Sequence, residues 1–167
     1  ISIFLQQYPD AANVLSKFKW TPLHAACYNE LSRPVVQLLV QVYPQAAKTC
    51  DYWGQTPLHV ACERNASLDG IRFLVMKQQW VCLLEDDDGK LPLDIAKKEN
   101  QDDAVIQFLT KVTRAAVSVL TDKLLKSQTA LPPETFGRVA TFVHCLPEEA
   151  AILKLSLSRD DIHALLQ

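Results

Sequence analysis

Several familiar features are missing from this chain, and each absence removes a class of function. The first residue is not Met, and no charged-then-apolar leader follows it, so a secretory signal is not expected. The expectation is that the chain begins inside a longer protein. No apolar run approaches the roughly 20 residues that a bilayer-spanning helix needs, which argues against membrane insertion. Basic and acidic residues nearly cancel, 17 against 19, and no basic block stands out. Nucleic acid is therefore not the expected partner, because phosphate neutralisation needs clustered Lys and Arg. None of the five cysteines forms a C-x-x-C pair, which leaves a zinc ribbon or thioredoxin-type site without support. G-x-S-x-G, the phosphate-binding loop and H-E-x-x-H are all absent, and the four histidines are widely separated. The chain does not read as an enzyme, and no cofactor, metal or small-molecule substrate is expected. Asp86-Asp87-Asp88-Gly89 resembles the start of a calcium loop, but Leu84 and Ile95 stand where that pattern needs oxygen ligands. It reads as a solvated acidic turn.

What is present is a repeat. Trp20-Thr21-Pro22-Leu23-His24-Ala25-Ala26-Cys27 returns as Gln55-Thr56-Pro57-Leu58-His59-Val60-Ala61-Cys62, then in drifted form as Lys90-Leu91-Pro92-Leu93-Asp94-Ile95-Ala96. The prolines recur every 35 residues, and self-similarity at such a period decides the architecture. Thr21 and Thr56 suit the helix N-cap, where a hydroxyl accepts from an unpaired N–H. Pro22 and Pro57 suit the first helical position, which needs no donor. A second apolar segment follows each copy: Val35–Val42, then Ile71–Val75, then Val105–Leu109 with no Gly or Pro to stop it before Pro132. Residues 1–8 align with 36–43 at the same offset.

The implied division is 1–15 as the second half of a truncated repeat, 16–50 and 51–85 as complete repeats, 86–126 as a divergent repeat with an extended last helix, and 127–167 as a helical cap. Cys27 and Cys62 fall at equivalent points of adjacent repeats, about 10 Å apart by helix packing. A disulfide needs Cα atoms within about 7 Å. They read as buried small hydrophobes in a reducing, intracellular compartment, cytoplasmic or nuclear.

The repeated T-P-L-H-x-A, the Asp and Gly that precede it (Asp51 and Gly54; Asp86 and Gly89) and two helices per period together resemble the ankyrin repeat. The likeness covers roughly residues 1–120 and is strongest in the middle copy; Lys19 replaces Gly in the first, and Leu91 and Asp94 replace Thr and His in the third. It implies an all-α solenoid of stacked helix pairs with protruding turns, followed by a small C-terminal helical cap. It also implies that His24 and His59 bond backbone between neighbouring repeats. The family's contact positions are the turn tips and the exposed ends of the first helices. Carried onto this chain, they are Phe18, Trp20, Tyr28, Tyr52, Trp53, Gln55, Glu63, Arg64, Asp87, Asp88 and Lys90. The expected function is a non-catalytic scaffold or adaptor that binds a protein partner on its tips and concave face. Leu131-Pro132-Pro133-Glu134 with the apolar Val139–Val143 is faintly similar to the start of an F-box. That leaves open an adaptor whose C-terminal helices recruit a ubiquitin ligase, or the interaction arm of a larger protein.

Overall fold

The structure, a computed structural model, describes residue 7 and residues 9–29, 33–77 and 79–126. Segment 127–167, with its cap and F-box-like readings, lies outside the described residues, as does the start of the truncated repeat. The described residues hold six α-helices and no strand. These are α1 (Pro22–Tyr28), α2 (Arg33–Val42), α3 (Pro57–Glu63), α4 (Leu68–Lys77), α5 (Pro92–Lys98) and α6 (Asp103–Lys126). Chain contacts group residues 1–110 and residues 111–167 into two units.

Within the first unit, each repeat is a short helix followed by a longer one. Thr21 caps α1, its hydroxyl accepting from the His24 N–H at 3.3 Å. The His24 ring closes the box from the other side, with Nδ1 accepting the Thr21 N–H at 3.1 Å. In α3, His59 Nδ1 accepts the Thr56 N–H at 3.1 Å in the same way. In α5, Leu91 has no side-chain acceptor, so only half of the box survives: Asp94 Oδ2 accepts the Leu91 N–H at 3.0 Å. All three helices begin with proline.

Two of the short helices, α3 and α5, end on a left-handed residue. Asn65 (φ 54°) and Asn100 (φ 53°) hold it after α3 and α5. The next amides, Ala66 and Gln101, reach back to the Ala61 and Ala96 carbonyls at 3.0 Å, the Schellman closure that satisfies otherwise orphaned helix carbonyls. Asparagine tolerates this conformation better than other side-chain-bearing residues.

Short 3-10 turns follow the long helices: Pro44–Lys48 after α2 and Gln79–Leu83 after α4, with Pro9–Asn13 at the same register one repeat earlier. They bury small side chains, among them Ala12, Ala46, Ala47, Val81 and Cys82, which lets the chain turn close against the helices. The recurring Ala11-Ala12 and Ala46-Ala47 pairs are the signal of these turns in the sequence.

The core runs through equivalent positions of successive repeats. Leu23, Leu58 and Leu93 are fully buried, as are Ile71, Leu74, Val105 and Leu109 on the longer helices. Each such side chain contributes about 1.5–3 kcal/mol of transfer free energy. Cys27 and Cys62 are free and buried. Burial pushes the Cys27 thiol up to about 12. Burial and the adjoining Cys27 also raise Cys62. Both remain protonated, as small core hydrophobes. In the second unit, residues 111–126 continue α6 without a break.

Candidate protein-interaction surface

Between a 3-10 turn and the next short helix the chain forms a tight turn, and one residue type organises each. Asp51 Oδ1 accepts the backbone N–H groups of Trp53 and Gln55, both at 2.9 Å. Asp86 Oδ1 does the same for Asp88 at 3.0 Å and Lys90 at 2.9 Å. In the first turn Ser16 takes the role, its hydroxyl accepting from Phe18 at 3.2 Å and Trp20 at 3.1 Å. The backbone closes alongside: Ser16, Asp51 and Asp86 each donate to the carbonyl four residues on, at 2.9, 2.9 and 3.0 Å. Asp86 is thus a turn former. Ser16 escaped the sequence reading because it shares only hydrogen-bonding capacity with its aspartate counterparts, not charge; its 35-residue offset was the available signal.

The turns are tied to one another. The Tyr52 N–H donates to the Phe18 carbonyl at 3.0 Å, and the Asp87 N–H to the Trp53 carbonyl at 3.1 Å. Below them the histidines carry the same link. Nδ1 of His24 accepts a backbone N–H, so the neutral ring bears its proton on Nε2, which donates to the Gln55 carbonyl at 3.1 Å. His59 Nε2 donates likewise to the Lys90 carbonyl at 3.1 Å. Burial holds His24 below its ordinary value of 6.5, outweighing the Gln55 carbonyl and the Asp51 charge, which act the other way. A buried neutral imidazole with both nitrogens engaged is a structural clamp.

On this frame sit the predicted contact residues, in two clusters. Phe18 and Trp53 stack with centroids 5.6 Å apart, and Tyr52 meets Trp53 edge-on at 6.1 Å. Their exposures are 45% for Phe18, 50% for Trp53 and 66% for Tyr52, high for side chains of this size. The Lys17 ammonium lies 4.8 Å from the Phe18 centroid. The second cluster lies along the short helices: Trp20 packs on Tyr28 at 5.1 Å, and the Arg64 guanidinium covers the other ring at 3.6 Å from the Tyr28 centroid. Such cation–π contacts contribute about 0.5–1 kcal/mol when exposed.

Trp20 differs from the expectation of a solvent-facing tip residue. It is half-buried, stacks on His24 at 6.4 Å, and donates its indole N–H to Asp51 Oδ2 at 3.0 Å. Trp20 fastens the first turn to the second. Gln55 is half-buried and engaged through its backbone, whereas Glu63, Asp87 and Asp88 are exposed. Lys90 is half-buried and pairs with Asp88 at 3.3 Å. Among the described residues, no helix is long and apolar enough to cross a membrane.

Helix pairs joined at 35-residue intervals through hydrogen-bonded turns define a helical repeat solenoid. The family model described as ankyrin repeats (3 copies) matches residues 1–80 and again 35–121, and the chain belongs to that family. Ankyrin repeats are in general protein–protein interaction modules and are typically not enzymes. A search of curated proteins returns no match.

Proposed function

We propose that this chain is a non-catalytic recognition module whose turn tips and short-helix ends hold a protein partner. One observation carries the reading: three large aromatic side chains, Phe18, Tyr52 and Trp53, stand clustered and exposed on turns that backbone hydrogen bonds already hold in place. Exposed aromatics on a rigid platform lose little conformational entropy on binding and dominate interface energetics. Tyr28 and Arg64 extend the surface along the ends of the short helices, and Asp87, Asp88 and Lys90 extend it across the third turn.

Replacing Phe18 and Trp53 together by Ala tests this reading. Partner recovery in affinity capture with cross-linking should fall at least tenfold while the melting temperature shifts by only a few degrees. In the unaltered protein, Lys17, Lys19 and Lys90 should be shielded from modification when the partner is bound. Capture that survives the double substitution, with these lysines still reactive, would overturn the proposal.

A further inference from the structure

The three turns differ in charge in a graded way. The first carries Lys17 and Lys19, both exposed, and its organising residue is the neutral Ser16. The second presents Tyr52 and Trp53 outward, while its one acid, Asp51, is buried and bonded inward to the Trp20 indole. The third presents Asp87 and Asp88, with Lys90 held against Asp88 and the Asp86 carboxylate behind them. Along the row the surface therefore runs basic, aromatic, acidic. Glu85, just before the third turn, lies in the same field: burial, then Asp94 and Asp86, hold its carboxyl above the usual carboxylate range.

The spacing follows from the backbone. Adjacent turns are hydrogen-bonded to each other edge to edge, and each contributes two chain segments. Equivalent points of adjacent repeats lie about 10 Å apart, the helix-packing distance, so the basic and acidic turns stand about 20 Å apart. An extended chain advances about 3.3 Å per residue and covers that distance in about six residues. A second copy docking tip to tip would engage about eight side chains per partner, well short of the roughly 20–30 per side of a stable interface. The row is matched in size to a single extended segment.

Resting on the recognition-module reading above, we propose that the tips bind an extended segment of another protein that is acidic at one end, apolar or aromatic in the middle and basic about six residues away. Its acid meets Lys17 and Lys19, its central side chain packs against Phe18, Tyr52 and Trp53, and its Arg or Lys meets Asp87 and Asp88. Charge opposition at both ends fixes register and direction, which a uniform aromatic patch could not do.

The test uses the full chain and three fluorescein-labelled nine-residue probes sharing a Leu-Phe centre. One carries two Asp and two Arg at opposite ends, one has Asp at both ends, and one has Arg at both ends. In low salt the bipolar probe should bind at least fivefold tighter than either single-sign probe, with its advantage reduced at 0.5 M salt by screening. Asp87→Lys with Asp88→Lys should remove that advantage and make the doubly acidic probe the tightest. Trp53→Ala should weaken all three at least tenfold, and thermal melts of each variant establish that it is folded. No binding at 1 mM, equal binding of the three probes, or a ranking unmoved by the charge reversal would overturn the inference. Self-association of the chain in sedimentation, without probe binding, would do so in favour of a second copy. Trp53-dependent partner capture alongside a failed probe ranking would sink only the charge code; loss of both would sink the recognition reading as well.

Discussion

Lys19 holds a left-handed backbone (φ 60°) at the position where the other two turns have Gly54 (φ 76°) and Gly89 (φ 71°). A side-chain-bearing residue is disfavoured there by about 1–2 kcal/mol, partly offset by the greater freedom glycine has when unfolded. Lys19→Gly should therefore stabilise the protein by about 0.5–1 kcal/mol, read as a higher denaturation midpoint with an unchanged m-value. The same reasoning makes Asn65→Ala costly by about 1 kcal/mol, with Asn65→Gly close to neutral. His24 supplies a pH signature. Its pKa is lowered in the folded state, so the unfolded chain takes up a proton first as pH falls. The His24 contribution is complete above the unfolded value of 6.5 and is lost as pH drops through 6.5 toward the folded value. Denaturation midpoints should be flat from pH 8 to 7 and decline as the pH falls below about 6.5. The decline should be shallower in His24→Asn, which starts from a lower midpoint because the bonds to Thr21 and Gln55 are altered.

Among the elements, the three short helices show how a motif is adjusted to its place. His24 and His59 each reach a carbonyl 31 residues ahead, in the next turn. Asp94 keeps the bond to the N-cap amide and drops the forward reach. Asp94→Ala removes that bond and should cost about 0.5–1.5 kcal/mol; Asp94→Asn, which keeps an acceptor oxygen, should cost less, and urea unfolding of both variants checks the order. Much of this was legible beforehand. The 35-residue recurrence of Pro22, Pro57 and Pro92 located the short helices, and the resemblance to the ankyrin repeat implied the clamp. The 3-10 turns were not legible, because a five-residue turn has too few positions to show a period and its signal is only small residues. Nor was the role of Trp20: an aromatic on a turn can face water or reach back, and only the position of Asp51 in the next repeat decides between them.

At the scale of the whole molecule, stability in residues 1–110 is a chain of neighbour terms, as in other solenoids. Each junction is held by a histidine clamp, a backbone bond between turns and apolar burial. The first junction has the Trp20–Asp51 bond in addition. The second instead has Gln101, whose buried amide donates to the Cys62 carbonyl at 3.0 Å. The exposed aromatic surface depends on the first junction, since Phe18 and Trp53 come from its two sides. Weakening one junction should then separate the repeats without unfolding them equally. His59→Ala removes the clamp to Lys90, and hydrogen exchange read by mass spectrometry should show peptides from α5 opening sooner while α1 and α2 keep their protection. His24→Ala should act in the opposite place: the Phe18 and Trp53 turns lose their shared protection and α5 stays closed. Trp fluorescence gives the second readout, since all three tryptophans fall within residues 20–80. His24→Ala should shift the fluorescence transition more than the exchange of α5, and His59→Ala the reverse. Uniform acceleration across all helices in both variants would show that the unit unfolds as one block, with no separable junction for a partner to tighten.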